Sequence, residues 1–232
     1  MRRLIDASVL LGPTTPVWPG DTPFSCGWTC AIARGASINL SAITLSPHVG
    51  THADAPLHVR DGWAATDALP LDAFVGPALV VDVSDVAAGA EPDGPGALSL
   101  AMLDARARAQ GIDLSDALRE APRLLLRTER TIAGGDFPSG WPWVAPDAVQ
   151  ALVGYGLRLL GVDAPSIDAR ESKALATHHA LFGAGAFNLE NLDLRDVAPG
   201  RYDLFAPPLR VEGLDGAPAR AVLLASFDRM TG

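Results

Sequence analysis

Leu124-Leu125-Leu126-Arg127, the run from Pro146 to Gly156, and Leu157-Arg158-Leu159-Leu160-Gly161-Val162 follow one another in the middle of the chain and decide its fold class. The two apolar runs are short and read as strands of a well-buried sheet. Between them, Pro146 suits the first turn of a helix. Val149, Leu152 and Val153 carry its apolar face, and Gly154 and Gly156 end it. Strand, helix, strand predicts a mixed α/β layer.

Working outward, Leu79-Val80-Val81-Asp82-Val83 reads as a third buried strand. Asp85 to Ala97 is a loop rich in Ala, Gly, Pro and acids, and Ser99 caps a helix that reaches Gln110 and ends at Gly111. We expect residues 85–122 to form a surface excursion. Pro165 to Lys173 is irregular, Ala174 to Phe182 helical and Phe187 to Glu190 extended, with closing strands over Tyr202–Phe205 and Ala219–Phe227. Upstream, Asp6 interrupts the apolar run of Met1 to Ile5, so this segment reads as a first strand and not as a secretory leader. Ile38 to Leu45 nearly alternates and predicts a half-buried strand. No repeat or long linker divides the chain, and a single domain over 1–232 is expected.

Composition excludes several functions. Eighteen Lys and Arg against 27 Asp and Glu give a net charge of −9, which is unsuited to nucleic acid. No run approaches the roughly 18 apolar residues of a membrane span. Cys26 and Cys30 are too few for a disulfide framework and are expected to be buried free thiols in a reducing, cytoplasmic setting.

Three of the five histidines fall within Ser46-Pro47-His48-Val49-Gly50-Thr51-His52-Ala53-Asp54-Ala55-Pro56-Leu57-His58. Positions 48, 52, 54 and 58 are all even, so an extended chain turns their side chains one way. A straight strand would spread the outer two over about 33 Å, too far for one ion with ligands at about 2 Å. The chain must therefore curl, at Gly50 and Pro56. Imidazoles plus a carboxylate without thiolate suit zinc or a comparable divalent ion such as manganese, and Asp54 could bridge two. One of the adjacent His178 and His179 can complete the site, because helical neighbours point about 100° apart. Glu190 is a weaker candidate on spacing alone. Trp18 is either a core residue or a pocket wall.

His48-Val49-Gly50-Thr51-His52-Ala53-Asp54-Ala55-Pro56-Leu57-His58 resembles the His-x-Gly-Thr-His-x-Asp-x-Pro-x-His signature of the cyclase-like metal hydrolases. Val17-Trp18-Pro19-Gly20-Asp21-Thr22-Pro23-Phe24, Leu124 to Thr128, Gly161 to Ser166 and Glu171-Ser172-Lys173 extend the likeness toward its bacterial kynurenine formamidase branch. The resemblance implies a swivelling β/β/α domain, a homodimer and two zinc ions per subunit. It implies that His48, His52 and Asp54 bind one ion, that Asp54 also touches the second, that His178 binds the second, and that Glu190 bridges both. His58 would be the proton donor and acceptor, and Trp18 a wall of the substrate pocket. The implied activity is hydrolysis of N-formyl-L-kynurenine to L-kynurenine and formate in tryptophan degradation. The alternatives are hydrolysis of a cyclic amide such as isatin, or metal-dependent binding without catalysis. Asn191 departs from the pattern, since a glycine often follows the glutamate there.

Overall fold

The computed structural model describes residues 3–88 and 96–225. In chain order the strands are β1 (Leu4–Asp6), β2 (Ser25–Cys30), β3 (Leu40–Thr44), β4 (His52–Asp54), β5 (Val75–Asp82), β6 (Ala97–Leu98), β7 (Arg123–Arg127), β8 (Trp143–Val144), β9 (Leu159–Val162), β10 (Phe187–Leu189), β11 (Gly200–Phe205), β12 (Gly216–Pro218) and β13 (Val222–Ala225). The helices are α1 (Leu71–Phe74), α2 (Ser84–Ala88), α3 (Leu100–Ala109), α4 (Leu114–Glu120), α5 (Pro146–Tyr155) and α6 (Ala176–Gly183).

Among the described residues, seven strands form the main sheet in the order β1-β13-β11-β5-β7-β9-β10. β5, β7, β9 and β10 run parallel, and β11, β13 and β1 extend the sheet through successive antiparallel pairings. The parallel strands are apolar on both faces because both faces are covered. Leu79, Val81, Leu124, Leu126, Leu160 and Val162 enter the core beneath α3, α4 and α5. Val80, Leu125 and Leu159 enter a second core with Phe74, Leu189 and Leu204. The α5 helix starts at Pro146 and stops at Gly156, whose φ of 116° is the left-handed turn that glycine tolerates.

Three expectations change. The strand predicted from Ile38 to Leu45 exists as β3, but among the described residues it pairs only with β2, and it is exposed along its whole length. Alternation reports an apolar face, not what covers it, and nothing among the described residues covers this one. The stretch expected as a surface excursion contributes to the core through Leu103, Ala107, Leu114 and Leu118, and Asp85 lies in α2. The low-complexity residues 89–95 fall outside the described residues, as do Ser226 and Phe227 of the last predicted strand. Cys26 is exposed and Cys30 half-buried, because the projecting hairpin carries both.

Candidate metal centre

The short strand β4 organises the site from both of its edges. On one edge it pairs with β12, setting His52 opposite Pro218 and Asp54 opposite Gly216. On the other edge the backbones of His52 and Glu190 exchange hydrogen bonds of 3.2 and 3.0 Å, so Glu190 arrives beside His52 through main-chain pairing. The chain curls at both ends of β4. Gly50 precedes it at φ 71°, and a 3-10 turn over Pro56–His58 follows it. The rings of His48 and His58 consequently stand 4.3 Å apart between centroids. Thr51 anchors the turn, its hydroxyl donating to Asn191 O and accepting from Val9 N.

Asp54 and Glu190 each divide their oxygens between two groups of imidazoles. Asp54 Oδ1 lies 2.8 Å from His48 Nδ1 and 3.2 Å from His52 Nε2, while its Oδ2 lies 3.1 Å from His178 Nε2. Glu190 Oε2 is 3.6 Å from His52 Nε2, and its Oε1 is 3.2 Å from His178 Nε2. His52 Nδ1–H donates to Gly50 O at 2.9 Å, which turns the lone pair of Nε2 inward. Among the described residues that buried Nε2 has no hydrogen-bond partner. A buried acceptor is rarely left unpaired, and a cation between the carboxylates would satisfy it. Two groups bring ligand atoms within 4.8 Å of one another: His52, Asp54 and Glu190, and His48, Asp54 and His58. An oxygen and imidazole set without thiolate suits a divalent ion.

Three residues without a sequence signal support these groups. Asp168 accepts from the N–H groups of Thr177 and His178, both at 3.0 Å, and so caps the first turn of α6. The same carboxylate lies 2.6 Å from His178 Nδ1, directing Nε2 to the centre. Asn188 Nδ2 donates to Asp54 Oδ2 at 2.6 Å. Asp215 Oδ2 lies 3.0 Å from His48 Nε2 and 3.3 Å from His58 Nδ1. Spacing could not reveal them, because strand pairing and a helix terminus bring them in. His179 is exposed, with its ring 6.0 Å from Trp63, so His178 alone of the pair reaches the centre.

In the protein alone the carboxylates favour the charged forms of His48 and His178. Burial pulls the His48 pKa down, but hydrogen bonds to Asp215 and Asp54 outweigh it and push the pKa up to about 10. His178 is likewise raised, burial being overcome by Asp168, Asp54 and Glu190. Burial pushes Asp54 up, and His52, His178 and His48 together hold it well below the usual carboxylate range. A centre that pulls positive charge inward this strongly is electrostatically suited to a cation.

The centre opens into a cavity of about 460 Å³ lined by His48, His52, His58, His178, Glu190 and Asp215 on the polar side. Trp18, Phe137 and Leu175 supply apolar wall. Trp18 meets Phe137 and Trp141 edge to face at 5.7 and 5.6 Å and remains 39% exposed, so it is a wall residue and not a core one.

Residues 5–169 match the Cyclase family model, described as "Putative cyclase". The chain belongs to the Cyclase family. Its kinship with one curated cyclase relative is close: a kynurenine formamidase of Salinibacter ruber (strain DSM 13855 / M31) is 43% identical over 222 residues, covering 95% of this chain and 96% of the relative. A solved structure of a potential metal-dependent hydrolase with cyclase activity superposes with a TM-score of 0.77 at 27% identity, over 98% of this chain and all of that one. Isatin hydrolase A from Ralstonia solanacearum superposes with a TM-score of 0.78 at 27% identity, over 97% of this chain and 92% of its own. The fold is that of the cyclase-like hydrolases.

Proposed function

We propose that this hydrolase cleaves N-formyl-L-kynurenine to L-kynurenine and formate, as a step of tryptophan degradation. The observation that carries the reading is the kinship with a kynurenine formamidase along almost the whole chain, with the His48–His58 segment intact. His48, His52 and Asp54 would hold one divalent ion and His178 a second, Asp54 and Glu190 reaching both, and zinc is our assignment for each. When bound, such ions supply Lewis acidity that lowers the pKa of water and polarises a carbonyl oxygen. The chain's own residues do the rest. Trp18 offers an aromatic face to the substrate ring, and Asp168 and Asn188 hold His178 and Asp54 in place. His58, outside the five ligands, moves the proton from water to the departing aryl nitrogen, a role worth about 10²–10⁴-fold.

Two coarser features favour accompanying proposals. The exposed apolar side chains of the β2–β3 hairpin, Trp28, Leu40 and Ile43 among them, support a homodimer. Free Cys26 and Cys30 support a reducing, cytoplasmic setting. No helix among the described residues is long and apolar enough to cross a membrane.

The test is turnover of N-formyl-L-kynurenine by zinc-loaded protein beside a chelated sample, with isatin as competing substrate. Chelator-sensitive kynurenine release is the expected result. Turnover of isatin alone would transfer the assignment to cyclic amides, which the likeness to isatin hydrolase A makes the second reading. His58→Ala should lose most turnover and keep its metal, whereas loss of metal would make His58 a ligand.

A further inference from the structure

Asp215 has no place in the ligand set inferred above, yet it is built into the wall of the same cavity. Its backbone is fixed on both sides. Ala55 N donates to Asp215 O at 2.8 Å, and the next residue, Gly216, pairs with Asp54. The fit is tight enough that a Cβ on Gly216 would come within 2.8 Å of His48 Cε1. The carboxylate is thereby delivered between two imidazoles, His48 Nε2 at 3.0 Å and His58 Nδ1 at 3.3 Å. Among the described residues no lysine or arginine pairs with it.

A histidine that relays a proton needs one nitrogen open to the reaction and the other fixed by an acceptor. Of the two ring nitrogens of His58, Nδ1 has this acceptor, and among the described residues Nε2 has no hydrogen bond. We propose that Asp215 is the positioning residue for His58: Oδ2 accepts the Nδ1 proton and leaves Nε2 as the nitrogen that exchanges protons with water and substrate. The inference rests on the formamidase reading. In the reaction, the water oxygen bonds to the formyl carbon as one water proton passes to Nε2. The carbon–nitrogen bond then breaks, Nε2 gives that proton to the aryl nitrogen, and the products are the arylamine and formic acid, which ionises in solution. Asp215 gains and loses nothing. It keeps the ring in one tautomer and one orientation through both transfers.

Because the same oxygen faces His48, the test separates proton relay from metal binding. Zinc-loaded wild type, Asp215→Ala and Asp215→Glu are compared on formanilide and para-nitroformanilide, with metal content measured for each. The relay matters most when the leaving nitrogen is basic and must be protonated. Asp215→Ala should therefore lose about 10²-fold in kcat on formanilide and several-fold less on para-nitroformanilide, with KM and, at saturating zinc, metal stoichiometry near wild type. Asp215→Glu should recover part of the loss. Nitrogen NMR of the metal-free protein gives a readout independent of turnover: the Nδ1–H form of His58 should dominate in wild type and lose its dominance in Asp215→Ala. Equal loss on both formanilides, loss of metal from both variants, or an unchanged tautomer would overturn the proposal alone. A wild type inert toward both N-formyl-L-kynurenine and the formanilides would overturn the formamidase reading and the proposal with it.

Discussion

At Asp54 two oxygens face different imidazoles, Oδ1 toward His48 and His52 and Oδ2 toward His178. That division works only if each ring is held from behind, and each is: His52 by Gly50 O, His178 by Asp168, His48 by Asp215. Where such rings ligate a metal, partners of this kind fix ring orientation and strengthen binding. Asp168→Asn should therefore weaken zinc binding by about 10–100-fold, measured by competition with a chromophoric chelator, while leaving the fold intact by circular dichroism. Binding at wild-type strength would mean that the capped helix, not the carboxylate, orients His178. The histidine cluster and Asp54 were legible in the sequence because they are concentrated in eleven residues. Asp168, Asn188 and Asp215 were not, because each reaches the centre from a segment with no local signal. Asn191 sits at φ 54°, a left-handed position that accounts for the glycine often found there and that asparagine also tolerates.

Among the elements, the parallel strands and α5 could be read directly, since apolar runs, Pro146 and Gly156 are local signals that burial on both faces confirms. The turn after β7 could not. It is held by Asp163, just past β9, whose carboxylate accepts from Thr128 N, Thr128 Oγ1 and Glu129 N, and Glu129 adopts φ 60° there. Burial pushes the Asp163 carboxyl up from 3.8 to about 6, beyond what these hydrogen bonds restore. A raised carboxyl pKa makes the folded state bind more protons than the unfolded state between those values, so stability falls as pH climbs from about 4 to 6. The difference of roughly two pKa units corresponds to about 3 kcal/mol. Denaturant unfolding of wild type and Asp163→Asn, with both in one metal state, should show the wild-type advantage shrinking by that order between pH 4 and 7. A constant difference across that interval would assign the turn's stability to packing instead.

For the whole molecule, the outlying feature is the hairpin of β2 and β3. Its strand periodicity was legible, but its surroundings were not, because alternation identifies an apolar face without naming its partner. Trp28 and Ile43 are 58% and 60% exposed, and exposed apolar surface of this kind favours association. Sedimentation should give twice the 24.1 kDa chain mass for the wild type and a single chain for Trp28→Glu combined with Ile43→Asp. A wild-type monomer would leave the hairpin unexplained.

The bridge from β4 to the residues around Glu190 also sets a schedule. Asp54 and His178 lie 124 residues apart in sequence, and at about 5–20 residues per second the ribosome needs roughly 6–25 s to travel between them. Throughout that interval a nascent chain carries His48, His52 and Asp54 without His178 or Glu190 to close over them. An ion captured then would be held by an incomplete and unselective set of donors. If the centre fills as proposed, discrimination among metals becomes a late event, decided when the second half of the chain docks and not when the first histidines emerge.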